Sequence, residues 1–153
     1  MATLTAHTAE RLRTALGNEQ AGVEIANILN VYRSRLADAT ITVGAENTNV
    51  RAITIQLKDE NGVDLATRAA VLAVLLLDAN GDAFAATGGS TGIAIGTDGA
   101  LLALVAKKAW VLISEADGDI DLTWTDTGTE AAYLALLMPN GRLVISAALT
   151  NAP

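Results

Sequence analysis

Residues 65–78, LATRAAVLAVLLLD, admit two readings, and the fold turns on which one is right. On propensity alone the stretch would make a respectable helix, because Leu and Ala are strong helix formers. Its flanks argue for a strand. DENG at 59–62 precedes it and DANGD at 78–82 follows it, and Asn-Gly supplies the positive φ angles of tight turns. With branched residues between two such turns, a short apolar run fits a strand.

The same punctuation recurs downstream, as TDG at 97–99, DGD at 117–119 and PNG at 139–141. It divides the chain into strand candidates at 39–44, 50–58, 70–77, 92–96, 101–106, 109–115, 120–126, 131–138 and 142–149. Many short strands at this spacing predict a mainly β fold, a β-sandwich of Ig-like or jelly-roll-like type. The sandwich is expected over residues 39–153, after an N-terminal helical arm of residues 1–38.

Two short helices are expected in that arm. Thr8 is placed to cap AERLRTAL, Gly17 follows as a C-terminal cap, and Asn18 is placed to cap EQAGVEIANILN. Leu12 and Leu16 share one face of the first helix, and Val23 and Leu29 lie on the apolar stripe of the second. Helices this short are marginal alone and must pack on something. The arm is therefore either a lid on its own domain or a docking arm, with Arg11 and Arg13 facing acidic groups in the second case.

Composition narrows the function. The 153 residues are enough for one domain with a buried core. Hydrophobic residues make up 51% and mean hydropathy is +0.36. Yet the longest apolar run, Ala69 to Leu77, is nine residues, and a spanning helix needs about 20; no membrane partner is expected. The N-terminus does not read as a secretory signal. Zero cysteines exclude disulfides, thiolate metal sites and Cys nucleophiles. A lone histidine, His7, excludes His-rich metal sites. The net charge of −7 falls wholly after residue 38, because the arm balances four basic against four acidic side chains. An acidic body repels phosphate backbones, so no nucleic-acid partner is expected.

Residues 113–124, ISEADGDIDLTW, place four acidic side chains close together and raise the question of a metal. An EF-hand loop counted from Asp117 would need Gly at its sixth position and Glu at its twelfth; Leu122 and Gly128 stand there. A hairpin with Asp117-Gly118 at its tip accounts for the acids as turn and outward residues. That register pairs Ile113 with Leu122 and Val111 with Trp124. No metal site and no cofactor is expected. The glycine-rich TGGSTGIAIGTDG, 87–99, lacks the Gly-Lys-Ser/Thr ending and any lysine to reach a phosphate. With five aromatics and acids gathered at turns, no catalytic cleft is indicated, and the chain is not expected to be an enzyme.

One feature asks for a partner. AVLAVLLL, LLALVA, AWVLISE and AAYLALLM, the strands at 70–77, 101–106, 109–115 and 131–138, are apolar on both faces. A sandwich strand should alternate, and a continuous apolar strand means that its second face is also covered. Subunit contact is the simplest cover, with Trp110 and Leu112 as expected anchors.

The run IAIGTDGALLALVAKKAWVLISEADGDIDLTWTDTGTEAAYLALLMPNGRLVISAAL resembles the capsid decoration and head-fibre-like proteins encoded in the head-assembly regions of tailed bacteriophages. The resemblance spans about residues 39–150, and GNEQAGVEIANILN is similar to a helical segment that recurs in phage virion proteins. It is a likeness of pattern rather than of a diagnostic motif. The resemblance implies a β-rich, non-catalytic structural protein on the outer surface of an icosahedral capsid, made in the bacterial host cytoplasm. The implied partners are the major capsid protein and other copies of itself, as a trimer where it occupies three-fold positions. The alternative is a tail or baseplate β-sandwich module that binds a host-surface glycan. Exposed aromatics beside polar loops would mark that alternative, with Tyr133, Trp110, Trp124 and Phe84 as the candidates.

Overall fold

The computed structural model describes residues 35–81 and 83–151. The expected N-terminal helices lie outside these residues, and so do His7, Leu12, Leu16, Val23, Leu29, Arg11 and Arg13. Nine strands form among the described residues: β1 (Leu36–Asn47), β2 (Val50–Asp59), β3 (Ala70–Leu76), β4 (Gly92–Ile95), β5 (Ala100–Val105), β6 (Ala109–Ile113), β7 (Asp119–Thr125), β8 (Tyr133–Leu137) and β9 (Leu143–Ile145). Each expected strand has its counterpart, and 65–78 holds a strand. β1 starts at Leu36, ahead of the expected boundary at 39, because its ladder with β2 begins at the pair Leu36 and Asp59; Asn140 Nδ2 donates to the Ala37 carbonyl and Arg142 pairs with Asp38 at 2.6 Å.

Two antiparallel sheets pack as a β-sandwich. Sheet A runs β1-β2-β7-β4, and sheet B runs β5-β6-β3-β8-β9. One apolar core lies between them. Ile53, Ile55, Leu57, Ile120, Leu122 and Trp124 come from sheet A, and Val71, Ala73, Leu75, Trp110, Leu112, Leu134 and Leu136 from sheet B. At about 25 cal/mol per Å² of apolar surface buried, these large side chains are the main favourable term in the fold.

The turns use the chemistry the sequence announces. Asp59 Oδ1 accepts from the N–H groups of Asn61 and Val63, and Asp78 Oδ1 from those of Asn80 and Gly81. Both are Asx turns, which substitute a side-chain oxygen for a backbone acceptor. The Thr48-Asn49 hairpin has φ of 52° and 65° at its two central residues, as a two-residue type I′ turn requires.

The hairpin expected over 113–124 is not formed. β6 pairs with β3 and β5 in sheet B, while β7 pairs with β2 and β4 in sheet A. The acidic segment between them is a crossover between sheets. Only its turn is local, with Glu115 N–H bonded to the Asp119 carbonyl and Gly118 N–H to that of Glu115. Gly118, at φ 83°, is fixed there because a Cβ would stand 2.5 Å from the Leu65 carbonyl oxygen. The expected register failed because β6 is apolar on both sides, so alternation could not say which side faces the core.

Candidate interaction face

The four strands read as apolar on both faces come together in sheet B, as β3, β5, β6 and β8. Their inward side chains fill the core. Their outward side chains align across the sheet, because residues directly opposite in an antiparallel ladder point to the same side. The main row is Leu102, Val111, Leu72, Leu137 and Leu143, taken strand by strand from β5 to β9. A second row sets Val74 beside Ala109, Ala135 and Ile145. Neither row contains a charge. Phe84, Leu76, Val74 and Leu143, with Gly81 and Ala83, line a shallow apolar depression of ≈ 270 Å³ on the same side.

Every exposed large hydrophobic of the described residues belongs to sheet B or its flanking loops: Leu77, Phe84, Leu102, Leu104, Val105, Ile113, Leu137 and Leu143. β5 is the extreme case, with Leu102 61% exposed, Leu104 54% and Val105 52%. Large contiguous apolar surface on a soluble domain marks an interaction site.

Two expected anchors are corrected. Trp110 is 2% exposed and Leu112 0%, and both face the core. Their neighbours on β3, Ala73 and Val71, are inward residues as well. The outward residues of β6 are Val111 and Ile113. The sequence signal for this face, two-sided apolarity, was sound; only the choice of side was lost with the hairpin register.

The outer face of sheet A is polar. Thr42, Thr54 and Asp121 form one row, and Thr40, Gln56 and Asp119 another. Asp98, from the turn after β4, joins Asp119 and Asp121, with carboxylate oxygens all within 4.8 Å of one another. Burial raises the pKa of Asp119, and the charges of Asp121, Asp117 and Asp98 raise it further, against the lowering effect of the Ile120 N–H. Asp119 Oδ1 is buried without a hydrogen-bond partner. Asp121 Oδ1 accepts from the Thr54 hydroxyl at 3.1 Å. This donor set is the one among the described residues suited to a hard cation. Asp98 could not be assigned to it from sequence, because a separate strand delivers it.

The glycine-rich loop is already occupied by an anion of its own chain. Glu130 accepts from the N–H groups of Thr87, Gly88 and Gly89 and from the Thr87 hydroxyl. Burial pushes the Glu130 pKa up, but the Thr87 hydroxyl and the loop N–H groups outweigh it and hold the carboxyl below its ordinary range. Lys107 Nζ closes the loop from the other side through the carbonyls of Gly89 and Ser90. A Cβ on Gly88 would stand 2.3 Å from the Lys107 carbonyl oxygen, so the backbone of Lys107 packs directly on the loop at that residue.

No protein-family model matches the sequence, and no curated protein matches it. Among solved structures, a cohesin module from a family 33 glycoside hydrolase of Clostridium perfringens is similar at 15% identity, over 76% of this chain and 96% of that one, with a TM-score of 0.42. A likeness that distant carries no argument about function.

Proposed function

We propose that this chain is a structural, non-catalytic virion protein of a tailed bacteriophage, which decorates the outer surface of the icosahedral capsid. Sheet B is its attachment and assembly side. The phage assignment rests on the resemblance of residues 39–150. The observation that supports an assembly role is the chemical asymmetry of the sandwich: one outer face is apolar across five strands and the other carries threonines and carboxylates. A protein that lies on a large particle needs one side to bury and one side to keep in water. Trp110 and Trp124 are buried, so two of the aromatics that the glycan-binding alternative would use are withdrawn from any surface site.

Capsids assembled without this protein test the proposal. On addition of the full chain, cryo-EM should show new density on the outer capsid surface, and absence of such density overturns the reading. Leu137→Asp, at an outward position that is 42% exposed, should leave the fold intact and weaken capsid binding by more than about tenfold, the factor that corresponds to 1.4 kcal/mol.

A further inference from the structure

We propose that, in the free protein, the N-terminal segment of residues 8–30 lies on the outer face of sheet B of its own chain. The inference goes beyond the attachment role of that face: it concerns the protein before any capsid is bound and rests on the chemistry of sheet B. The described chain begins at Arg35, beside the turn that joins β8 to β9. Arg35, Pro139 and Asn140 line one cavity of ≈ 510 Å³, and Asn140 Nδ2 donates to the Ala37 carbonyl at 3.0 Å. Leu137 and Leu143 flank that turn, stand opposite each other in the ladder, and are outward and exposed. The residues before Arg35 therefore enter at the border of the apolar face.

Length, charge and tether all favour this occupant. The two stretches expected as helices carry Leu12 and Leu16, and Val23 and Leu29, as apolar stripes that need a surface. A helix over residues 19–30 would be about 18 Å long. Five strands spaced by about 4.8 Å put β5 about 19 Å from β9, so such a helix matches the width of the sheet. Residues 31–34 reach about 13 Å when extended, more than the roughly 10 Å between the layers of a sandwich. Residues 1–34 balance Arg11, Arg13 and Arg33 against Glu10, Glu19 and Glu24. The outward rows of sheet B hold no charge, so the contact buries no net charge. The rest of the chain carries the whole −7, and a second copy is repelled accordingly. The tether adds to this preference. A segment joined to its target by a few residues is present at an effective concentration on the order of millimolar, above that of a second copy in dilute solution.

The test uses the full chain, whose lack of cysteine leaves engineered thiols without competitors. Leu29→Cys combined with Leu143→Cys should close an intramolecular disulfide under mild oxidation. It should do so about tenfold faster than Leu29→Cys combined with Thr42→Cys on the outer face of sheet A, because docking raises the effective concentration of one thiol at the other. Equal rates overturn the proposal, and so does a disulfide that joins two chains, which would put the segment on a second copy. Val23→Asp together with Leu29→Asp places charges on the apolar stripe and should raise the binding of a hydrophobic dye about threefold, as sheet B is uncovered. Unchanged dye binding overturns the proposal as well. Circular dichroism of each variant separates misfolding from lost contact. Capsid binding is read separately. Decoration by a chain whose two disulfides close equally fast defeats this inference alone, whereas a docked segment on a chain that never binds capsids defeats the functional reading alone.

Discussion

On sheet A, the outward row through Thr42, Thr54 and Asp121 crosses three strands with polar side chains; on sheet B, the row through Leu102, Val111, Leu72, Leu137 and Leu143 crosses five with apolar ones. Both sheets present a full apolar face to the common core. They therefore differ in the side that the fold does not use. Sheet A shows the alternation of a strand that is wet on one face, and the strands of sheet B carry apolar side chains on both faces. The difference teaches that an apolar surplus in composition can be localised to one layer. The exposed large hydrophobics of the described residues all lie on sheet B or its flanking loops.

The largest effect tests which side of sheet B is the core. Trp110→Ala should cost about 3–5 kcal/mol in urea unfolding, as removal of a buried aromatic does. A loss near zero, with weakened self-association instead, would put Trp110 on the outer face and reverse the assignment. Next comes the loop that joins the sheets. Glu130→Gln should cost about 1–2 kcal/mol at neutral pH, because the N–H groups of Thr87, Gly88 and Gly89 lose their charged acceptor. The Glu130 pKa is lowered in the fold, so its stabilisation is present above the unfolded value. That stabilisation is lost as pH falls through the folded one, and wild type and variant should converge in acid.

Asp119→Asn probes the polar face with the opposite sign. The folded pKa of Asp119 is raised, so the charged carboxylate weakens the fold at neutral pH, and this penalty is relieved as pH falls through the raised value. The variant should gain about 0.5 kcal/mol at neutral pH, the scale of one like-charge neighbour on a sheet. Its advantage should shrink in acid. A variant less stable than wild type at neutral pH would mean that the cluster is held by a cation. The smallest effect on stability sharpens the comparison of the faces most. Leu137→Thr on sheet B and Thr42→Leu on sheet A should each change stability by less than about 0.5 kcal/mol. Binding of a hydrophobic dye should fall in the first and rise in the second.

Strand positions and turns were legible in the residues, because they depend on local chemistry. Asx and Asn-Gly turns fix where the chain reverses, and a run such as 70–76 between two of them has room only for a strand. The polar outer face of sheet A was legible for the same reason, since a one-residue slip would bury Asp121 and the threonines of β7. The apolar outer side of β3, β5, β6 and β8 was also legible, as two-sided apolarity. Sheet membership was not. The segment at 114–118 closes a turn in either case, and whether it joins neighbours in one sheet or crosses between two is decided by strands far away in sequence. For β6 both faces are apolar, so no local energy distinguishes Trp110 inward from Trp110 outward. Packing against β3, β5 and the opposite sheet makes that choice, because only one side offers a cavity that a tryptophan fills. The meeting of Asp98 with Asp119 and Asp121, and of Glu130 with the loop at 87–89, has the same origin: each joins side chains that the chain alone holds more than twenty residues apart.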